Sequence, residues 1–272
     1  MNDLSRLCVH TATTRPLSLD KALDAYAVAG IPGITVWRET LNDHTLEEAA
    51  RLINASDLTV ASLCRGGFFP APSAVDRQKA IDDNRLAIEQ AAAIGAPLVV
   101  LVCGAVPGQP LEESRKQIAE GIAACLDDAQ AHNVKLAVEP LHPIYAGDRS
   151  AINTLAQANA LCDALASPFV GVAVDVYHLW WDPDLQSSIQ KAGDSGYINA
   201  FHISDWLTPT NDLLNDRGLM GEGCIDIRKI RSWVEATGFR GFAEVEIFST
   251  RWWQHNQQDY LEIIKEAYHN HS

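Results

Sequence analysis

Leu98-Val99-Val100-Leu101-Val102 is an apolar pentad without a single polar member. A strand with one wet face alternates apolar and polar residues. An unbroken short run instead suits a strand covered on both faces, as in a parallel sheet wrapped by helices. Outward from the pentad the same unit recurs: a β-rich run, a loop, then an amphipathic stretch. The pattern predicts strands at Leu7–Thr11, Gly33–Trp37, Thr59–Cys64, Leu98–Cys103, Lys135–Glu139, Gly171–Asp175, Ala200–Ser204 and Phe242–Ile247. Helices are expected over Leu19–Ala29, Leu46–Ser56, Ala74–Ile94, Leu111–His132, Asn153–Leu165, Pro183–Ala192, Ile227–Thr237 and Gln257–His269. Ser18 and Asp182 suit N-caps, Pro183 suits a first helical position, and Gly30, Gly95 and Gly238 stand where left-handed C-caps belong. Eight strands alternating with eight helices in 272 residues predict the α/β class and a single (β/α)8 TIM barrel over 1–272. No GxGxxG follows the first strand and no Walker lysine loop occurs, which argues against an open nucleotide-binding sheet.

Bulk charge narrows the partners. Asp and Glu number 35 against 21 Lys and Arg, a net −14, so the surface repels phosphate backbones and anionic membranes. Nucleic acid and membrane are therefore not expected as partners. Six scattered cysteines form no CxxC pair, and several lie in apolar runs, so neither a disulfide framework nor a thiolate zinc site is implied. The N-terminus has no basic-apolar leader and no apolar stretch reaches about 18 residues, which leads to the expectation of a cytoplasmic protein.

At or near the C-terminal ends of four consecutive predicted strands stand residues able to hold a metal: Glu139, Asp175, His202 and Glu246. Taken singly, a Glu at a strand end is usually a solvated or ion-paired group. Together, at the end of a barrel where active sites form, three carboxylates and an imidazole suit one divalent ion, Mn²⁺ foremost, with Mg²⁺, Co²⁺ or Zn²⁺ as alternatives. Three ionised carboxylates against one divalent ion leave the centre anionic, which favours neutral polyols or carbonyls unless arginines compensate. Glu244 shares inward parity with Glu246; depth along the strand favours Glu246 as ligand and leaves Glu244 a supporting or paired carboxylate. His10, Arg38, Glu39 and Arg65 fall at the ends of the first four strands, as sugar contacts or as ordinary surface groups. The longest connection runs from Asp205 to Asp226, a length more often functional than idle.

Val138-Glu139-Pro140, Val174-Asp175-Val176-Tyr177-His178, Phe201-His202-Ile203-Ser204-Asp205, Gly221-Glu222-Gly223-Cys224-Ile225-Asp226 and Glu244-Val245-Glu246, in that order and spacing, carry a resemblance. Over nearly its whole length the chain resembles the sugar isomerase/epimerase superfamily with a xylose-isomerase-like barrel. That superfamily includes ketose 3-epimerases, inositol-catabolism enzymes and endonuclease IV. The resemblance implies that Glu139 and Glu246 bind the metal and also serve as the catalytic acid/base pair. It implies that Asp175 and His202 are ligands only, that His178 binds substrate oxygens, and that Arg217 contacts the sugar. It further implies a homo-oligomer. His142, in Glu139-Pro140-Leu141-His142-Pro143, is an addition to the pattern, read as a catalytic or substrate contact or as a rigid turn residue. The tryptophan pairs Trp180-Trp181 and Trp252-Trp253 wall a pocket or cover helix ends, with Trp181 taken as a substrate contact.

The chemistry expected is metal-assisted proton abstraction next to a carbonyl in a small sugar or polyol-derived substrate, with the ion stabilising an enediolate. Return of the proton to the other face gives epimerisation; return to the adjacent carbon gives isomerisation. Loss of a β-substituent gives a lyase or dehydratase acting on an oxo-sugar, inosose or 3-oxo-glycoside, which His142 favours. An endonuclease IV-like nuclease needs more histidines and a basic groove, and a non-catalytic barrel leaves the four-ligand set without purpose. No glycine-rich or basic phosphate cradle stands out, which favours an unphosphorylated substrate.

Overall fold

Alternation along each strand sorts its side chains into two sets, and the fold follows from where those sets go. The computed structural model describes residues 3–272. Eight parallel strands close on themselves: β1 (Leu7–His10), β2 (Gly33–Trp37), β3 (Thr59–Gly67), β4 (Leu98–Val102), β5 (Lys135–Glu139), β6 (Val170–Asp175) and β7 (Ile198–Ile203), completed by the eighth barrel strand, Ala243–Val245. Between β7 and that last strand, β8 (Asp205–Trp206) and β9 (Arg217–Gly218) form a two-stranded antiparallel ladder, which makes Ala243–Val245 β10 in chain order. Helices connect the barrel strands, giving the expected (β/α)8 barrel.

The pentad shows the sorting. Val99 and Leu101 point outward into the large apolar shell between sheet and helices, with Leu7, Ile34, Leu136, Val172 and Phe201 among their company. Leu98 and Val100 point inward and join Cys64, Ala137, Ala173 and Ala200, with Trp37 against them, to fill the barrel axis. Both faces of β4 are therefore dry, which is why its sequence lacks alternation. No described helix is long and apolar enough to cross a membrane.

Several boundaries differ from expectation for identifiable reasons. The third strand runs on to Gly67, with a register shift between Cys64 and Gly66. At Gly67, φ is +107°, and a Cβ there would sit 1.9 Å from the Val102 carbonyl oxygen, so only glycine lets these strand ends approach. The expected helix Leu111–His132 is two helices, Leu111–Ala123 and Leu126–His132. The Ala124 carbonyl instead accepts from Arg85 Nη2 at 3.2 Å. The helix expected from Pro183 begins at Leu185, because Asp182 Oδ1 accepts from the Asp184 amide at 2.9 Å and holds Pro183 in a turn ahead of it. The helix expected from Asn153 begins at Leu155, after a capping box of Thr154 and Gln157. Ser18 occupies the N-cap position without a side-chain bond, while Gly30 takes the left-handed C-cap. The eighth strand is only three residues long because Thr13 intervenes. Its hydroxyl donates to the Val245 carbonyl and accepts from the Ile247 amide, both at 2.9 Å.

Candidate metal centre and cleft

Three of the four predicted donors stand two residues beyond an inward-facing alanine: Glu139 above Ala137, Asp175 above Ala173, His202 above Ala200. With a side-chain period of two, each must also face inward, one pleat nearer the C-terminal ends of the strands. Small alanines below leave room for a polar layer above. Glu246 lies one residue past β10, where its amide donates to the Ile203 carbonyl at 3.1 Å and keeps the strand direction.

The barrel thereby brings one donor atom each from Glu139, Asp175, His202 and Glu246 within 4.8 Å of one another, all buried. His202 Nδ1 lies 2.9 Å from Glu139 Oε1, yet neither atom has a hydrogen-bond partner. Two ligands about 2.1 Å from one ion and at right angles stand about 3 Å apart, so this unbonded approach fits a shared ion. The donor set, one borderline nitrogen and three hard oxygens, fits the same class of ion. A second grouping, His10 with His202 and Glu246, meets the same distance limit.

Glu244 lies a pleat deeper, in register with His202. Its Oε2 accepts from Thr35 Oγ1 at 2.6 Å and Ser62 Oγ at 2.9 Å, and faces His10 Nε2 at 3.5 Å and His202 Nε2 at 3.7 Å. It is a buried, paired carboxylate beneath the cluster and belongs to neither grouping of donor atoms. By engaging the far side of the His202 ring it leaves Nδ1 turned towards Glu139, the arrangement in which a carboxylate fixes a ligand imidazole. Thr35 and Ser62, on the second and third strands, were not singled out in the sequence as its partners.

Charge is finely divided in this layer. Burial opposes protonation of His202, but the carboxylates of Glu139, Glu244 and Glu246 outweigh it and lift the imidazole to about 10. His10 is likewise raised against its burial by Glu246 and Glu244. Burial pushes Asp175 up to about 7 despite the nearby Arg217 guanidinium. Glu246 goes the other way: burial is overcome by Arg217 and His10, which hold it well below the usual carboxylate range. Arg217 Nη1 reaches Glu246 Oε2 at 2.8 Å and Asp175 Oδ2 at 3.2 Å, and Nη2 approaches His178 Nε2 at 3.1 Å. Burial and that guanidinium hold His178 well below its ordinary value, hence neutral.

Arg217 comes from the long loop, and two devices place it. Its amide donates to the Phe248 carbonyl at 2.9 Å, two residues beyond Glu246. Asp205, buried at the start of the loop, accepts four amides: Trp206 at 2.8 Å and Ile225 at 3.0 Å on one oxygen, Gly221 at 3.0 Å and Gly223 at 2.9 Å on the other. The guanidinium is then sandwiched by Tyr177 and Phe248, 4.3 and 5.2 Å from the ring centres.

A cavity of about 310 Å³ lies above the donors. Glu139, Glu246, His178 and Arg217 line it, along with Trp37, Tyr145 and Phe248. His10 is buried below, taking a bond from Trp37 Nε1 at 3.1 Å. His142 and Trp181 stand behind the cavity wall. His142 packs on Trp206 and Trp181, and its amide faces His178 Nδ1 at 3.3 Å. Trp252 stacks on Tyr260 and Trp253 bonds the Ala12 carbonyl, so neither lines the cavity. Arg38 is turned away into a bidentate pair with Asp83. The sequence reading missed Arg15, Tyr145, Arg149 and Phe248 in the cavity wall. Phe248 was detectable from its position two residues past Glu246, whereas the others sit in loops without periodicity.

A crystal structure of the protein SMc04130 from Sinorhizobium meliloti 1021 is similar at 48% identity and a TM-score of 0.95, covering 98% of both chains. An inosose isomerase of Halalkalibacterium halodurans is 26% identical over 96% of this chain and 94% of its own length. The IOLI protein, solved with a bound zinc atom, superposes with a TM-score of 0.83 over 97% of this chain and 96% of its own. At 23% identity that likeness speaks for the fold alone. The family described as xylose isomerase-like TIM barrel matches residues 23–267, and the chain belongs to it.

Proposed function

We propose that the chain is a divalent-metal-dependent sugar isomerase or epimerase that moves a proton next to a carbonyl. The observation that carries this reading is the convergence of Glu139, Asp175, His202 and Glu246, with the two glutamates also reaching the cavity surface. Relatives named inosose isomerase support the substrate class. A bound divalent ion, held by those four side chains, supplies polarisation of the substrate carbonyl. Mn²⁺ is the ion proposed first for one nitrogen and three oxygen donors, and zinc in the IOLI structure makes Zn²⁺ the second candidate.

The rest is done by the chain. Glu139 and Glu246 come from strands three apart round the barrel and approach the cavity from different sides. Glu246, kept ionised by Arg217 and His10, is suited to accept a proton, and Glu139 to return one from the other face. Arg217 presents donors to substrate oxygens and developing negative charge, with the neutral His178 ring beside it in the lining. Trp37, Phe248 and Tyr145 exclude water from one side. His142, the residue that favoured elimination, is not among those lining the cavity, which makes epimerisation or isomerisation the first reading.

Incubation with Mn²⁺ and ketohexoses or inososes in D₂O tests the reading by mass and NMR detection of deuterium next to the carbonyl. Exchange is expected, reduced about 10²–10⁴-fold in Glu139→Gln and Glu246→Gln. No exchange with any ketose or inosose sinks it.

A further inference from the structure

Charge in the cavity wall is opposite in sense to that of the chain as a whole. Four arginines, Arg15, Arg65, Arg149 and Arg217, line it against three carboxylates, Glu39, Glu139 and Glu246, in a chain whose net charge is −14. Arg217 is bonded to Glu246 and Asp175, but the other three are differently held. Arg65 lies over the Phe68 ring at 4.5 Å, Arg15 over Trp253 at 5.0 Å and Arg149 over Tyr145 at 5.8 Å. Among the described residues, none of these three side chains donates a hydrogen bond or forms an ion pair. Several arginines elsewhere are ion-paired, as in Arg38–Asp83, Arg85–Asp128 and Arg251–Glu222.

Stacking occupies the face of a guanidinium and leaves its N–H edge free. That edge is the part that makes two parallel bonds to a carboxylate or a phosphate. Arg65 and Arg149 are both half-buried and share one wall. Burial pulls the Arg65 pKa down, Glu39 resists, and the neighbouring Arg149 adds to the fall. Two cations held this close and partly dry, with only the nearby Glu39 opposing them and no direct ion pair, are a cost that a bound anion removes. A divalent ion at the floor makes the lining more positive still.

We propose that the substrate is an anionic sugar derivative, its carboxylate or phosphate held by Arg65 and Arg149 while its carbonyl end faces Glu139 and Glu246. This rests on the isomerase/epimerase reading of the same cavity, and it replaces the neutral, unphosphorylated substrate expected from sequence. No contiguous stretch of sequence carries the pair, because Arg65 sits at the β3 bulge and Arg149 in the loop after β5.

The test is calorimetric titration of the Mn²⁺-loaded protein, repeated with EDTA so that anion held by the metal alone drops out. The probes are inorganic phosphate, D-gluconate and, as the neutral control, D-glucitol. Binding of one anion, weakened roughly 10- to 100-fold in Arg65→Met/Arg149→Met, is expected; whether phosphate or gluconate binds tells the two sources apart. Glucitol binding as tightly as both anions, or anion binding unaltered in the double variant, overturns the proposal. Deuterium exchange is compared for D-fructose, D-fructuronate and D-fructose 6-phosphate. Exchange with fructose as efficient as with both anions leaves the isomerase reading intact and overturns the anionic one. Exchange with none of the three, nor with any other ketose or inosose, overturns the isomerase reading. It also removes the anion's role as substrate.

Discussion

At the scale of the residue, His202 carries the sharpest expectation. In the metal-free protein its proton is held to about 10, well above the ordinary 6.5, by the three carboxylates around it. A metal ion needs the imidazole nitrogen bare. Metal binding at pH 7–8 therefore releases at least the His202 proton, with part of another from Asp175, which burial lifts to about 7, and affinity rises with pH across this range. Calorimetry in two buffers of different ionisation enthalpy reads that proton directly; identical apparent enthalpies in both would contradict it. The four donors were legible in the sequence because each sits at the end of an apolar run, where strand geometry fixes its direction. Glu244 was ambiguous for the same reason: parity gives direction but not depth. Depth came from Thr35 and Ser62, which bind Glu244 below the cluster. His142 and Trp181 are not among the residues lining the cavity; they lie outside the strands, where a neighbour in sequence need not face the same space.

At the scale of the element, the segment Asp205–Asp226 has little regular structure and depends on one carboxylate. Replacing Asp205 by Ala leaves four amides without an acceptor, in a place where Gly223 has no room for even a Cβ beside the Trp206 carbonyl. A loss of about 2–5 kcal/mol is expected, seen as a fall in Tm of about 5–15 °C. Arg217 should lose its alignment with Glu246, so activity should fall further than unfolding at the assay temperature explains. Unchanged Tm and activity would show that the loop is held by other means. Elements with periodic sequences were read to within a few residues. The misreadings came where a side chain replaced a backbone partner: Arg85 at the break after Ala123, Asp182 before Leu185, Thr13 beside Val245. Hydropathy is blind to such exchanges.

At the scale of the whole molecule, the fold was legible from repetition alone, since eight dry runs with helices between them leave few alternatives to closure. The four side chains proposed to hold the ion stand at the ends of β5, β6 and β7 and one residue past β10. Chelation of the metal-loaded protein should therefore lower its Tm. At a metal concentration about 100 times Kd the linkage is worth about 2.7 kcal/mol, or roughly 5–10 °C for a chain of this size. A Tm indifferent to EDTA would argue that the cluster holds no ion. The seam of the barrel is formed by β1 and β10, whose pairs Leu7–Ala243, Cys8–Glu244 and Val9–Val245 join the two ends of the chain. Glu246 lies one residue beyond that seam. During synthesis, then, a nascent chain carries three of the donors long before it carries the fourth. On the proposed reading, the strand that closes the barrel is also the one that completes the donor set, so that an ion can be fully held only by a closed barrel.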